Sequence, residues 1–293
     1  MGLFMKVLIT GDAGFVGREF HRQLAGHDIT CVDIVNGLDA CKFFALNDTH
    51  FDLVIHLAAI VGGRATIEGN PLKVATDLAI DSDMFQWALR TKPKHLVYYS
   101  SSAAYPIDLQ GYGSGHKLVE SDIDLDNVRL PDLTYGWAKL TGEILAKYAQ
   151  QEGLNVHVFR PFSGYGEDQD LTYPFPSFIH RGVHKYNPFT IWGTGNQVRD
   201  FIHISDVVSA TLEAVNQNVQ GPVNLGWGRP TTFLELAELV CNEVGYTPSL
   251  DIKTDAPEGV AYRCSDSSKM MGFYTPKVTL EEGIARAVRA LSQ

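Results

Sequence analysis

Three glycines, each three residues from the next, follow the first apolar run of the chain. The run reads KVLIT, and the glycines are Gly11, Gly14 and Gly17. A strand that enters a helix through such a turn predicts the first βαβ unit of a doubly wound sheet. Gly11 permits the tight turn, Gly14 lets the backbone approach a ligand, and Gly17 lets the helix pack against the strand. Because a helix N-terminus attracts anions, this turn is predicted to hold a pyrophosphate.

The first half of the chain alternates short apolar runs with amphipathic segments of helical length. The runs are KVLIT, DITCVDI, DLVIHLA, HLVYYSS and NVHVFRP. This alternation predicts an α/β fold in which a doubly wound parallel sheet, a Rossmann domain, spans residues 1–162. Residues 163–293 are predicted to form mainly a smaller C-terminal α/β lobe, which includes the run PVNLG, with some chain returning to the Rossmann domain. We expect this lobe to cover the carboxyl ends of the strands, where ligands bind in such sheets.

Composition argues against several classes of partner. The chain has 293 residues, 45% of them apolar, which is enough for one large core. Its 24 Lys and Arg residues against 34 Asp and Glu residues give a net charge of −10, which disfavours nucleic acid or an anionic membrane as the main partner. The four cysteines form no C-x-x-C pair, and no run is long enough to span a membrane. We therefore expect a soluble cytoplasmic protein.

The cofactor expected at the glycine turn is NAD. Asp33 ends the second apolar run, where an acidic side chain accepts hydrogen bonds from the adenosine ribose. A carboxylate there would repel the 2′-phosphate of NADP, so NAD is preferred. Asp39, after the second strand, lies either near the adenine or in a simple cap or turn. The other residues placed against NAD are Phe15, Val16, Ala58 and Ala59.

Tyr135 and Lys139 stand four residues apart in a helical segment, so their side chains share one face. A free phenol has a pKa near 10, and a neighbouring ammonium together with the positive nicotinamide would favour the phenolate. The run HLVYY ends in Ser100, Ser101 and Ser102, which are either a plain polar strand end or a source of a hydroxyl beside Tyr135. We predict that Tyr135 is the base and Lys139 its activating partner, and that both also contact the cofactor.

Six segments, in order, resemble the extended short-chain dehydrogenase/reductase family, specifically its nucleotide-sugar epimerases, dehydratases and reductases. They are TGDAGFVG, DLVIHLAA, SSSAAYP, YGWAK, RPFSGYG and GTGNQVRDFIHISD. The resemblance covers nearly the whole chain. It implies NAD in the first domain, a nucleotide diphosphate sugar under the second, and a homodimer packed through a helix bundle.

The resemblance also implies particular substrate residues. It places the catalytic hydroxyl on Ser101, with Ser102 beside it in the substrate site. Arg199 matches an arginine that clamps the diphosphate, Arg263 matches a second one, and Ser163 stands where the family has an asparagine that touches the substrate. The chemistry requires no metal, and we predict none at the closely spaced histidines His180 and His184.

Two further positions depart from the family. Leu78 stands where an asparagine is often found on the long helix. The glycine-rich loop 111–116 is longer than expected and is interpreted either as a lid over the sugar or as a mobile turn.

The residues after Ser101 narrow the reaction. Related dehydratases carry an Asp-Glu pair there and decarboxylases a glutamate, where this chain has Ser102 and Ala103. The segments 57–63 and 105–106 look most like GDP-mannose 3,5-epimerase and GDP-fucose synthase, but those enzymes use a cysteine at the position of Ala103, and alanine cannot move protons. A 4-epimerase working through a transient 4-keto sugar is therefore predicted, as in UDP-glucose 4-epimerase.

The alternatives are a 4-keto-sugar reductase or sugar dehydrogenase of the same family, and a non-catalytic NAD-sensing regulator. Asp33 favours the epimerase, because tightly held NAD can be recycled whereas biosynthetic reductases more often use NADPH. Retention of Ser101, Tyr135 and Lys139 together disfavours the regulator.

Overall fold

The computed structural model describes residues 4–60 and 69–292, so the end of the segment 57–63 lies outside the described residues. In chain order the strands are β1 (Lys6–Thr10), β2 (Asp28–Val32), β3 (Leu53–His56), β4 (His95–Tyr99), β5 (Val156–Pro161), β6 (Ser163–Tyr165), β7 (Phe189–Trp192), β8 (Val198–His203), β9 (Val223–Leu225), β10 (Pro230–Thr232) and β11 (Leu250–Lys253). The helices are α1 (Phe15–Gln23), α2 (Ala40–Leu46), α3 (Pro71–Val74), α4 (Asp77–Thr91), α5 (Leu133–Gln151), α6 (Pro174–Val183), α7 (Ile204–Asn216), α8 (Phe233–Val244), α9 (Ser268–Met271) and α10 (Leu280–Leu291).

Six strands form the larger sheet in the order β2-β1-β3-β4-β5-β9, and all of its pairings are parallel. The predicted doubly wound α/β fold is confirmed. After β1 the chain forms β2 on one side of β1, and then β3 on the other side. The carboxyl ends of β1 and β3 therefore border the crevice in which such sheets bind ligands.

Alternate residues of the central strands pack against different faces of this sheet. In β1, Val7 and Ile9 lie in one core, whereas Leu8 lies in the other. The first core is covered by α1 and α7, and the second by α2, α4 and α5. Both faces are buried, so these strands read as continuous apolar runs rather than as alternating patterns.

The strand β9 differs from expectation. Its sequence, within PVNLG, suggests the smaller lobe, but β9 pairs with β5 as the sixth strand of the large sheet, with Val223 opposite Phe159. The helix α7 also returns, packing beside α1 on the face that it covers. A three-residue strand carries too little pattern to reveal its neighbour, which long-range pairing decides.

The smaller lobe contains a three-stranded sheet, β10-β8-β6, and a two-stranded sheet, β11-β7. The helices α6, α8 and α10 pack around a separate apolar core that includes Phe178, Phe189 and Leu236. This lobe follows directly from β5, which places it at the carboxyl ends of the large sheet.

The long helix expected around Leu78 is two helices, α3 and α4, with a break at Ala75 and Thr76. At the break the Asp77 carboxyl turns inward and accepts a hydrogen bond from the Ile60 backbone amide. No helix within residues 4–60 and 69–292 has the length and apolar character needed to cross a membrane.

Candidate active site

The glycine turn packs too closely against its surroundings for any side chain. Gly11 has φ +75°, and a Cβ on it would lie 2.8 Å from the carbonyl carbon of Leu57. A Cβ on Gly17 would collide with the carbonyl oxygen of Gly11. The start of α1 is therefore held against β1 with its amides facing the crevice, the arrangement that binds a dinucleotide pyrophosphate.

Asp33 stands at the mouth of this turn, immediately after β2. Its Oδ2 accepts a hydrogen bond from the Ala13 amide at 3.1 Å, and its Oδ1 accepts one from the Val35 amide at 2.9 Å. The carboxylate is thus fixed beside the glycine turn, where it fits the ribose of NAD. The residues present fit this cofactor.

The remaining residues expected at the cofactor lie around the same turn or next to it. Ala58, with Ala59 after it, follows β3, and the Ala58 amide donates to Thr10 Oγ1 at 3.3 Å. Phe15, with Val16 after it, begins α1. Asp39 accepts a hydrogen bond from the Lys42 amide at 3.0 Å and so caps α2, the simpler of its two interpretations.

The helix α5 carries Tyr135 and Lys139 to the end of β4. Ser101 and Tyr135 line one cleft, and Ser101 is close enough to lower the pKa of Tyr135. Lys139 is only 5% exposed, with its Nζ 5.9 Å from the centre of the Tyr135 ring and 5.4 Å from that of Tyr98. The three side chains predicted as a catalytic set are therefore neighbours.

A glycine allows this close approach. A Cβ on Gly136 would collide with the carbonyl oxygen of Ala103, in the short turn that follows Ser101. The same carbonyl accepts a hydrogen bond from the Asp132 amide at 2.9 Å, just before the helix. The first turn of α5 thus rests directly on the turn that holds Ser101.

Burial controls the acidity of the pair. It raises the pKa of Tyr135, Lys139 opposes this rise, Asp77 and Asp81 add to it, and a hydrogen bond with Ser101 lowers it. Burial lowers the pKa of Lys139, but Asp81, Tyr135 and Asp77 outweigh it, so the net pKa is raised. The Lys139 ammonium favours the phenolate of Tyr135, as the sequence predicts. Without the positive nicotinamide, however, burial has the larger effect on the pKa of Tyr135, which is raised.

The three serines after β4 have different environments. Ser100 is buried and donates to Glu143 at 2.5 Å, and Glu143 also pairs with Arg160 at 2.7 Å. Ser102 is 6% exposed and is not among the residues that line the cleft. Ser101 alone of the three lines the cleft, so Ser102 is not brought together with the other predicted substrate residues.

The cleft has a volume of about 570 Å³ and lies between the two lobes. Ser163, Arg199 and Arg263 line it together with Ser101 and Tyr135. Arg199 Nη1 donates to the carbonyl oxygens of Val198 and Val260, each at 2.8 Å.

Arg263 is held by two side chains from residues 1–162. It donates to Gln110 Oε1 at 2.6 Å and pairs with Asp132 at 2.8 Å. Both predicted arginines are therefore held in fixed positions at the cleft.

The loop 111–116 is mostly exposed and touches the rim of this cleft. The Tyr112 hydroxyl lies 2.9 Å from Thr194 Oγ1 and also bonds Glu258, which lines the cleft. Both interpretations of the loop stay predictions.

No group of three or more potential metal ligands occurs in the described part of the chain.

Sequence reasoning missed Arg181, which lines the cleft from α6. Its guanidinium lies 5.4 Å from the ring centre of Phe178 and 5.9 Å from that of Phe189, and burial lowers its pKa. Within the described ranges no carboxylate forms a salt bridge with it. The available signal was its place three residues after Phe178, on the apolar face of a helix.

Asp77 is the second residue that was missed. Leu78, the position singled out in the sequence, is 39% exposed, whereas Asp77 beside it is fully buried and interacts with Lys139. Aligning the family's asparagine with position 77 instead of position 78 would have identified Asp77.

Residues 7–226 match the family described as "NAD dependent epimerase/dehydratase family". GDP-L-fucose synthase 1 of Arabidopsis thaliana is 26% identical over 301 residues, which cover 96% of this chain and 91% of that protein. UDP-N-acetyl-alpha-D-glucosaminuronate decarboxylase of Bacillus cytotoxicus is 26% identical over 320 residues, 97% of both chains. The structure of Thermotoga maritima UDP-glucose 4-epimerase with UDP-glucose has a TM-score of 0.80 and 25% identity, and covers 97% of this chain and 98% of its own.

These relatives share a fold and differ in the reaction named for them. The prediction that the chain belongs to an NAD-dependent family of nucleotide-sugar enzymes is confirmed. Because the match spans well over half of the chain, the protein belongs to the NAD-dependent epimerase/dehydratase family.

Proposed function

We propose that the protein is an NAD-dependent nucleotide-sugar 4-epimerase. One observation carries this proposal: Tyr135, paired with Lys139, opens into the same cleft as three arginine side chains. An acid–base group at one end and cations along the wall suit a sugar whose diphosphate lies against the arginines.

Tyr135 would accept the proton of the sugar C4 hydroxyl, to which Ser101 also hydrogen bonds. The Lys139 ammonium stabilises the phenolate form of Tyr135, which is the form that accepts this proton. NAD, when bound at the glycine turn, supplies the hydride acceptor and donor at C4. After the 4-keto sugar turns over, Tyr135 returns the proton to the same oxygen, so one acid–base residue serves both directions. The alanine at position 103 is consistent with a reaction that moves no proton at C3 or C5.

Asp33 supports NAD rather than NADP as the cofactor. Its two oxygens are fixed by backbone amides next to the glycine turn, so its negative charge would face a 2′-phosphate there. The diphosphate of the substrate is assigned to Arg181, Arg199 and Arg263, and Ser163 faces the same cleft.

A 4-keto-sugar reductase is the second candidate. Burial raises the pKa of Tyr135, and a protonated phenol is the acid that reduction of a ketone requires. The same residues would then act in one direction, with net consumption of reduced cofactor.

The two candidates are separated by incubating the protein with UDP-, GDP-, CDP- and dTDP-sugars. Product stereochemistry is followed by NMR, and reduced nicotinamide by absorbance. A new C4 epimer without net change in reduced cofactor supports the epimerase, whereas a stoichiometric change supports the oxidoreductase. No conversion of any of these sugars, with either redox form of the cofactor, would contradict both candidates.

The variant Tyr135→Phe tests the assigned base. Loss of the hydroxyl should lower turnover by about 10²- to 10⁴-fold, the usual contribution of general acid–base catalysis. NAD affinity, measured by calorimetry, should change little because the glycine turn is untouched. Tyr186→Phe, at an exposed position that does not line the cleft, is the matched control. Turnover at the wild-type rate in Tyr135→Phe would refute the mechanism.

A further inference from the structure

The cleft has a direction, from the acid–base residue at one end to the rim of the smaller lobe at the other. Arg263 pairs at 2.8 Å with Asp132, which precedes Tyr135 at the start of α5. Arg199 instead donates to the backbone carbonyl oxygen of Glu258 at 3.2 Å. A nucleotide sugar with its sugar at Tyr135 and its diphosphate at the arginines therefore has its base near Glu258.

Trp192 gives a flat base a surface to pack against at this end. Its side chain lines the cleft and is 47% exposed. The next residue, Gly193, has φ +74°, and a Cβ on it would lie 2.6 Å from Cγ of Glu258. The glycine thus lets the Glu258 side chain pack directly beside the backbone that carries the tryptophan. An aromatic ring and a carboxylate are consequently neighbours at the base end of the cleft.

The carboxylate of Glu258 is fixed through one of its two oxygens. Oε1 accepts hydrogen bonds from the Thr194 amide at 3.2 Å, from the Thr194 hydroxyl at 2.7 Å and from the Tyr112 hydroxyl. Burial raises the pKa of Glu258, but these hydrogen bonds and the charge of Arg199 outweigh burial, so the pKa is lowered. Among residues 4–60 and 69–292, every hydrogen bond to this carboxylate ends on Oε1, which leaves Oε2 as a charged acceptor for a ligand.

A charged acceptor discriminates among bases by the hydrogen-bonding groups on their edges. Guanine carries two donors side by side, the N1–H and the 2-amino group, so an acceptor that faces this pair meets hydrogen on both sides. Uracil carries one N3–H between two carbonyl oxygens, and cytosine carries its 4-amino group beside the lone pair of N3. In both pyrimidines an acceptor next to the donor would face the negative charge and be repelled. A carboxylate oxygen at the base end therefore favours guanine.

We propose that Glu258 makes the protein selective for guanosine diphosphate sugars, because its Oε2 accepts hydrogen bonds from the N1–H and 2-amino pair of guanine. This inference rests on the proposed function, since the base is placed from the positions of Tyr135 and the arginines. Glu258 lies at the other end of the cleft from the sugar and takes no part in the proton transfer. The base preference and the reaction can therefore be tested separately.

Calorimetric titration with GDP, UDP and CDP tests the preference, with NAD at saturation so that the cofactor site is filled. These ligands share the ribose and the diphosphate and differ only in the base. We expect the wild type to bind GDP about tenfold or more tightly than UDP or CDP, the effect of hydrogen bonds to a charged group. Glu258→Gln keeps an oxygen for Thr194 but loses the charge, and should bind GDP about tenfold more weakly with little change for UDP.

The ratio of GDP to UDP affinity makes the result specific, because the better stacking of a larger purine is common to wild type and variant. Glu238→Gln removes the same charge from an exposed position of α8 outside the cleft, and its ratio should equal that of the wild type. Inosine diphosphate, which lacks the 2-amino group, needs no variant and should bind to the wild type several-fold more weakly than GDP.

Three results would overturn the inference: a wild type that prefers UDP, equal affinities for GDP and inosine diphosphate, or an equal loss of GDP and UDP affinity in Glu258→Gln. The last result would show that Glu258 only supports the rim of the cleft. None of them touches the proposed function, which epimerisation of a UDP-sugar would still support. Full activity in Tyr135→Phe would instead overturn the proposed function and leave the base preference standing.

Discussion

Among single residues, Asp77 carries a stability cost that depends on pH. Burial raises its pKa from the ordinary 3.8 to about 6. The folded protein therefore holds a proton that the unfolded chain loses between these values, and stability falls as pH rises through this range. Above pH 7 both states are ionised and the full cost remains, on the order of 3 kcal/mol.

The variant Asp77→Asn should remove that cost. Its free energy of unfolding should exceed that of the wild type at pH 8 and match it near pH 3, as measured with urea at both pH values. An advantage of equal size at the two pH values would show that ionisation of Asp77 is not its cause. The comparison needs cofactor-free protein, because a ligand bound only to the folded state adds its own stability.

The local residues of the site were predictable and the distant ones were not. The spacing of Tyr135 and Lys139, and that of the glycines around Gly14, are short-range patterns whose geometry follows from one turn or one helix. Arg181 and Asp77 carry only a weak local signal, because they reach the site through the particular orientations in which α6 and α4 pack. The separate environments of the three consecutive serines depend on Glu143, more than 40 residues later.

At the scale of elements, the contact of α5 with the turn after Ser101 is the critical junction. The variant Gly136→Ala would push a methyl group against the carbonyl oxygen of Ala103. Overpacking of this kind costs about 1–3 kcal/mol, and here it should also move Tyr135 away from Ser101. We expect a lower melting temperature by calorimetry together with a fall in turnover.

Gly111→Ala is the matched control for that substitution. No atom lies within 4 Å of a Cβ built on Gly111, and its φ is not in the left-handed region, so stability should not change. A Gly136→Ala variant as stable and active as this control would contradict the close packing of α5.

The alternation of strands and helices was predictable because buried parallel strands are continuous apolar runs. The division between α3 and α4 was not, since it coincides with a hydrogen bond from the backbone amide of Ile60, a residue distant in sequence, to Asp77. The place of β9 was also hidden, because three residues within PVNLG are compatible with either lobe until their pairing with β5 is known.

For the whole molecule, we propose a homodimer that buries the outer face of α5. Trp137 and Tyr148 are 44% and 59% exposed, and they lie within a narrow arc of that helix. Large apolar side chains grouped on one helix face are typical of an interface.

Light scattering of the wild type should therefore give twice the chain mass, and Trp137→Glu should shift the mass toward the monomer. Leu46→Glu, at a position 87% exposed on α2, is the control and should stay dimeric. A monomeric wild type at the concentrations used for assay would rule out this interface as a requirement for activity.

The late position of β9 in the chain affects how the protein is made. The glycine turn, α5 and β5 are complete by residue 161, but the strand that covers the edge of β5 arrives only with Val223–Leu225, after α7 has been added to the sheet. At typical translation speeds this interval lasts roughly 3–13 s. During that time the nascent chain exposes one edge of β5 and the apolar side chains that later face α7. The ribosome-bound chain therefore stays partly folded until the last strand of the large sheet has been made.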